Sequence, residues 1–184
     1  MLRDRVKWNA KYRQHDYPQE PSAIVRDFYH MAPGRSALDL AAGAGRNSVF
    51  LAEQGFSVDA VDVADAGLAL FAGSHPRLRP ICADLDAFDI PRRRYDLIVN
   101  VLYVNRRLFP QILDGLKPGG LLVFESLLET PDRQDQNGHC RDYFLQENEL
   151  LRAFLSLRVV YYREDGPPGQ GGSKPLAALV GIRE

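Results

Sequence analysis

Apolar and polar positions along the chain fall into blocks whose period switches between two and 3.6 residues, the mark of strands alternating with helices. An apolar run over residues 37–41 passes into a Gly-x-Gly turn at Gly43 and Gly45, and the helical pattern that follows over 46–54 is closed by Gly55. A second run, 56–61, delivers Asp62 and Asp65 at its far end. The alternation continues with a short helix over 65–73 and a third strand over 79–82 that ends in Ala83-Asp84-Leu85. A fourth strand over 95–102 is almost unbroken in apolar character, as suits a central strand covered on both faces. A helix over 106–116 is stopped by Lys117-Pro118-Gly119-Gly120, with Lys117 complementing its negative end, and a fifth strand occupies 121–126. Residues 127–144 are polar and irregular. A helix over 146–156 then places Leu150, Leu151, Phe154 and Leu155 at helical spacing. The last two strands, 158–163 and 176–182, are joined by a Gly/Pro-rich joint at 166–172 with no room for a helix, so they are expected to be antiparallel and the joint a flap. In front of all this, 18–31 reads as an amphipathic helix behind a polar, aromatic-bearing arm at 8–17.

This order predicts an α/β fold: a doubly wound, mostly parallel seven-stranded sheet with a C-terminal antiparallel hairpin. At 184 residues it forms one domain, 1–184. A composition 45% hydrophobic and 26% charged is that of an ordinary globular chain. Net charge is −1, which supplies no broad positive field, so no nucleic-acid partner is expected and Arg92-Arg93-Arg94 reads as a solvated turn. No apolar run approaches the ~20 residues that span a bilayer. The amino terminus has no apolar targeting core either, so no membrane partner is expected and the expected location is cytoplasmic. Cys82 and Cys140 are expected to be free thiols, and His15, His30, His75 and His139 lack ligand spacing, so no metal site is expected. Neither a Gly-x-Ser-x-Gly elbow nor a phosphate-loop lysine occurs, which sets aside hydrolase and phosphoryl-transfer chemistry.

A glycine turn at the carboxyl edge of a parallel sheet suits a dinucleotide or S-adenosylmethionine. The dinucleotide pattern needs glycine at position 48, where this chain has Ser48. Asp39 lies inside an apolar strand and requires a partner: the glycine-loop amides, the cofactor's amino group, or a purely structural bond. Trp8 and Tyr12, spaced i, i+4, form one face of a helical turn and are able to cover a cation.

The segments LDLAAGAG, VDAVDVAD, CADL, YDLIVNVLY and LKPGGLLVFE, in this order over 36–125, resemble the class I S-adenosylmethionine-dependent methyltransferases. With WNAKY ahead of them they are similar to the small bacterial tellurite-resistance and thiopurine type. The chain departs from that pattern by Ala41 and Ala42 in the turn, both small enough to keep the backbone approach close. The resemblance implies a Rossmann-like fold, S-adenosylmethionine as cofactor, and methyl transfer to a small-molecule acceptor. The alternative is a non-catalytic S-adenosylmethionine-binding module. It further implies that Asp62 accepts both ribose hydroxyls, Val63 packs on the adenine, Asp84 takes the adenine amino group and the Leu85 amide a ring nitrogen. Gly43 and Gly45 would admit the methionine portion, Ala41 and Asn100 would offer carbonyls to its ammonium, and Arg46 would hold its carboxylate. Residues 1–31 would form a lid with Tyr12 over the sulfonium, with 127–145 and 164–174 as substrate-side loops, and Tyr103, Asn105 and Tyr143 facing the acceptor. Because the sulfonium is already an activated leaving group, a dedicated base is optional.

Overall fold

The computed structural model describes residues 2–14, 17–129, 143–165 and 175–184. Seven strands, β1 (Ser36–Leu40), β2 (Ser57–Asp62), β3 (Leu78–Cys82), β4 (Tyr95–Val101), β5 (Leu116–Leu127), β6 (Leu157–Glu164) and β7 (Leu176–Arg183), form one sheet in the order β3-β2-β1-β4-β5-β7-β6. β1 to β5 are mutually parallel, and β7 enters antiparallel between β5 and β6. The doubly wound sheet with its C-terminal antiparallel hairpin is therefore the fold, while the joint at 166–172 lies outside the described residues. The order reverses between β1 and β4, which opens a crevice at their carboxyl ends.

Alternate residues of the central strands feed two cores. On one face Leu38, Ile98, Leu122 and Leu179 pack beneath α5 (Leu108–Gly115) and α6 (Glu149–Ala153), with Phe109, Phe124 and Phe154 meeting ring to ring at 5.3–5.8 Å. On the other, Ala37, Leu97, Val99 and Val123 pack beneath α2 (Ala23–Phe28) and α3 (Arg46–Glu53). A smaller cluster of Ala60, Leu68 and Phe71 seats α4 (Asp65–Ala69).

Several boundaries differ from expectation for identifiable reasons. The helix expected over 18–31 begins only at Ala23, and its buried Ile24 and Val25 belong to the core. The arm in front of it is itself helical, α1 (Leu2–Arg13). β5 starts at Leu116 and carries Lys117-Pro118-Gly119-Gly120 as an irregularity in the ladder, with Gly119 at φ 77°. Lys117 does not cap α5; its Nζ donates to Asp96 Oδ2 at 2.9 Å and Ser36 Oγ at 3.0 Å. The guanidinium of Arg183 instead gathers the carbonyls of Leu113, Asp114 and Leu116 at the end of that helix. Arg183→Ala should therefore lower stability by about 1–3 kcal/mol by leaving these acceptors without their charged donor, a loss measurable by urea denaturation. Of the arginine triplet, Arg92 pairs with Asp114 and Arg94 with Asp59 at the amino edge of the sheet, away from the crevice.

Candidate active site

β1 delivers the chain into a turn that the sequence can make only with small residues. Ala41, Gly43 and Gly45 all take positive φ, at 56°, 58° and 82°. The Ala42 amide donates to Val61 O at 3.0 Å and the Gly45 amide to Ala42 O at 2.9 Å, which fixes the turn against β2. The missing Cβ atoms have occupants: one at Gly43 would overlap the Tyr12 hydroxyl, and one at Gly45 would overlap the Phe71 ring. The turn's smallness thus serves the packing of α1 and α4 as well as access from the crevice.

Asp62 ends β2 and is almost fully buried. One carboxylate oxygen accepts the Gly43 amide at 2.8 Å and the other the Ala64 amide at 2.7 Å. Burial raises its pKa above the ordinary carboxylate value, while the Ala64, Gly43 and Val63 amides pull it back. Since a carboxylate has about four acceptor positions, two remain for hydroxyl donors arriving from the crevice. Val63 follows beside it, half-buried, its carbonyl accepting the Cys82 thiol at 3.7 Å.

Asp39 does not reach the glycine-loop amides. Its Oδ2 accepts the Ser48 hydroxyl at 2.5 Å, the structural bond among the expected alternatives. Ser48, the residue that breaks the dinucleotide pattern, is thus the partner Asp39 requires, a role its sequence position did not signal. Burial pushes the Asp39 carboxyl up to about 7, opposed by Ser48 and Arg46. Ser48→Ala should therefore cost about 1–3 kcal/mol in stability. The raised pKa also sets a pH dependence: the folded protein keeps a proton that the unfolded chain loses near pH 4, so this contribution falls as pH rises from about 4 to about 7. Melting curves of Asp39→Asn across that window should show a smaller decline than those of the parent.

Asp84 follows β3 and forms a turn, its Oδ1 accepting the Asp86 amide at 3.0 Å and its carbonyl those of Ala87 and Phe88. Leu85 is buried in the core beside it. Beyond β4, the Asn100 side-chain amide donates to Tyr103 O at 2.6 Å, and Asn105 joins the Tyr103 hydroxyl at 3.3 Å to Asp86 at 2.8 Å. Burial pushes the Tyr103 phenol up to about 12. Tyr143 is exposed, and residues 130–142, with His139, Cys140 and most of the expected substrate-side loop, lie outside the described residues, as does His15. Arg46 opens α3, its Nη1 reaching the Glu20 carbonyl at 3.3 Å.

The arm docks on α4 and over the glycine turn through contacts that sequence reading missed. Arg5 and Asn9 both donate to Asp65 Oδ1, at 3.0 and 2.8 Å, and Asn9 Oδ1 accepts the Ala66 amide at 3.0 Å. Asp65 is the first residue of α4, and the cap comes from Asn9 on another helix. Arg5, Asn9 and Tyr12 are spaced i, i+4, i+7, one helix face; that spacing was the available signal. Tyr12 lies over Gly43 and Gly67, close enough to Asp62 that burial and the carboxylate together raise its pKa and keep the phenol protonated. Trp8 stacks on Tyr12 at 6.1 Å, but its ring is met by Lys7 and Lys11 and it faces outward.

The turn, the buried acid ending β2 and the hairpin-terminated sheet form one constellation, and residues 37–120 match the family described as methyltransferase domain. Residues 37–120 of this chain carry a methyltransferase domain. This methyltransferase domain is 34% identical over 135 residues to alpha N-terminal protein methyltransferase 1 of Caenorhabditis elegans, covering 67% of this chain and 58% of that protein. It spans little more than half the length of the curated relatives it matches, 58% and 53%. Among solved structures it is similar in fold to TehB from Haemophilus influenzae, with a TM-score of 0.76 at 19% identity, covering 96% of this chain and 67% of that one. It is also similar to 1,6-didemethyltoxoflavin-N1-methyltransferase from Burkholderia thailandensis, solved with 1,6-didemethyltoxoflavin and S-adenosylhomocysteine bound. There the TM-score is 0.68 at 18% identity, covering 97% of this chain and 86% of that chain. Among the described residues of the methyltransferase domain, no helix is long and apolar enough to cross a membrane.

Proposed function

We propose that the protein transfers the methyl group of S-adenosylmethionine to a small-molecule acceptor in the cytoplasm. The observation that carries this reading is Asp62: a buried carboxylate aimed by two backbone amides, beside a glycine turn, with acceptor positions left over. On this reading Asp62 accepts the two ribose hydroxyls, Val63 packs on the adenine, and Asp84 and the Leu85 amide meet the adenine edge. Gly43 and Gly45 admit the methionine portion, Ala41 and Asn100 face its ammonium, Arg46 holds its carboxylate, and Asp39 braces the turn from behind through Ser48. Tyr12 covers the sulfonium, whose charge an aromatic face attracts. The lid narrows to α1, because α2 belongs to the core. When bound, S-adenosylmethionine supplies an activated methyl group; the chain's own residues position it and exclude water.

A small acceptor fits the near-neutral charge of the chain. The toxoflavin-precursor enzyme, a neighbour in fold, also acts on a small molecule. Calorimetry with S-adenosylhomocysteine against NAD tests the cofactor, and release of S-adenosylhomocysteine in the presence of small acceptors tests transfer. Binding of NAD in preference to S-adenosylhomocysteine would sink the reading. Binding without transfer to any acceptor would leave the non-catalytic module.

A further inference from the structure

Among the acids of the carboxyl edge that the proposed cofactor contacts leave unused, Asp65 is bonded to Arg5 and Asn9 and Asp86 to Asn105, whereas Glu125 has no hydrogen-bond donor among the described residues. Glu125 stands near the end of β5, paired with Val101 of β4 and with Ala178 of β7, and Ala178 in turn pairs with Arg163 of β6. Paired residues of a sheet share a face, and the face repeats every second residue. Asp39 pairs with Val99, Val99 pairs with Val123, and Glu125 lies two residues past Val123. Glu125 therefore projects from the same face as Asp39, one step nearer the carboxyl edge. Arg46, at the start of α3, is near enough to lower the pKa of both acids.

Its surroundings leave this carboxylate under-supplied. Ala178 is too small to fill the space between Glu125 and Arg163, and their charged groups stay 3.9 Å apart, beyond hydrogen-bond reach. Arg163 is engaged instead by Asp165 at 3.2 Å. Among the described residues none donates a hydrogen bond to the Glu125 side chain, although that side chain is only 16% exposed. Its oxygens are not sealed from solvent, so their acceptor positions stay open to a donor that arrives from the crevice. Next to it, Leu102 holds a left-handed φ of 59° that leucine rarely adopts, pinned by its amide donating to the Glu125 carbonyl at 2.8 Å. The Leu102 side chain is 52% exposed at the same edge.

We propose that Glu125 is the acceptor-side base of this site, and that the substrate class is small neutral or cationic molecules methylated on nitrogen or oxygen. The inference rests on the methyltransferase reading above. In the step it describes, a lone pair on the acceptor nitrogen or oxygen forms the bond to the methyl carbon. The sulfur–carbon bond breaks with its electron pair kept by sulfur, which becomes a neutral thioether, and the acceptor's N–H or O–H proton passes to the Glu125 carboxylate. A thiolate or oxyanion has no proton to give and is repelled by the same carboxylate, so this edge disfavours it. Burial raises the Glu125 pKa, Arg163 and Arg46 lower it, and Asp165 raises it. The rate on a nitrogen or oxygen acceptor accordingly rises with pH as Glu125 ionises.

The test uses the full chain with S-adenosylmethionine carrying a labelled methyl group, offered aniline, histamine and catechol on one side and thiophenol and tellurite on the other. Label is expected on the nitrogen and oxygen acceptors. Glu125→Gln should lower that transfer about a hundredfold or more and abolish its rise with pH, with S-adenosylhomocysteine affinity unchanged. Glu125→Asp, which keeps the base on a shorter stem, should fall less and keep the pH rise; it also serves if the glutamine variant does not fold. Three results overturn the inference: transfer confined to thiophenol or tellurite, no transfer at all from a cofactor that binds, or a Glu125→Gln variant as active as the parent. Failure of the parent to bind S-adenosylhomocysteine is a different outcome and removes the reading beneath it.

Discussion

Asp62→Ala should weaken binding of S-adenosylhomocysteine about tenfold to a hundredfold, on the order of 1.5–3 kcal/mol. The carboxylate has two duties at once. It would accept two ribose hydroxyls, and it already accepts the Gly43 and Ala64 amides, one on each oxygen. Alanine therefore removes the charge-assisted bonds to the ligand and also strands two amides at the mouth of the glycine turn, loosening the backbone the methionine portion leans on. Asp62→Asn is expected to do no better, because its NH2 group would face an amide donor where an acceptor is needed. Calorimetry on both variants, with melting temperatures to confirm folding, checks the prediction. Unchanged affinity in either would place the ribose elsewhere.

The second large effect concerns the arm. Removing residues 1–17 should leave a folded domain, because no residue of α1 whose side chain is described enters any of the three apolar clusters. Turnover should nevertheless fall at least tenfold. α1 brings Tyr12 over Gly43 and Gly67, and without it the methyl group stands in water at the open crevice. Cofactor affinity should fall less, since the proposed adenosine contacts at Asp62 and Asp84 sit on the ends of β2 and β3 rather than on the arm. The comparison is truncated against full chain, by calorimetry with S-adenosylhomocysteine and by label transfer to the same acceptors. Equal turnover would mean that the arm is no lid.

The sheet was legible in the sequence because its period is short and its punctuation strong. β1 and β2 are apolar runs ended by glycine or aspartate, β4 is apolar almost throughout, and a joint too rich in glycine and proline for a helix left only an antiparallel return before β7. What was not legible depends on partners far apart in sequence. Nothing local distinguishes Arg183 from a surface arginine, yet it rather than Lys117 meets the end of α5, because β7 runs past that helix. Asn9 looked like one polar residue in a polar arm, and its role exists only once α4 is seated by Leu68 and Phe71. At the candidate site, the positions of Asp62 and the glycine turn followed from strand ends. Ser48 was visible only as the absence of a glycine, and Glu125 acquires a distinct environment only when β7 brings Ala178 alongside it.

The cap that Asn9 lends to α4 makes a single backbone amide a reporter of whether the crevice is roofed. Ala66 N–H has its bond to Asn9 Oδ1 only while α1 is docked, and α4, at five residues, is too short to persist on its own account. Hydrogen exchange at Ala66 therefore measures arm opening directly, on the intact protein and without any acceptor. Asn9 and Arg5 lower the Asp65 pKa below its ordinary value, so their contribution to docking fades as pH falls through that depressed value, and protection at Ala66 should weaken with it. A ligand that is held beneath Tyr12 slows the same exchange, which turns one amide into an assay for what the crevice accepts.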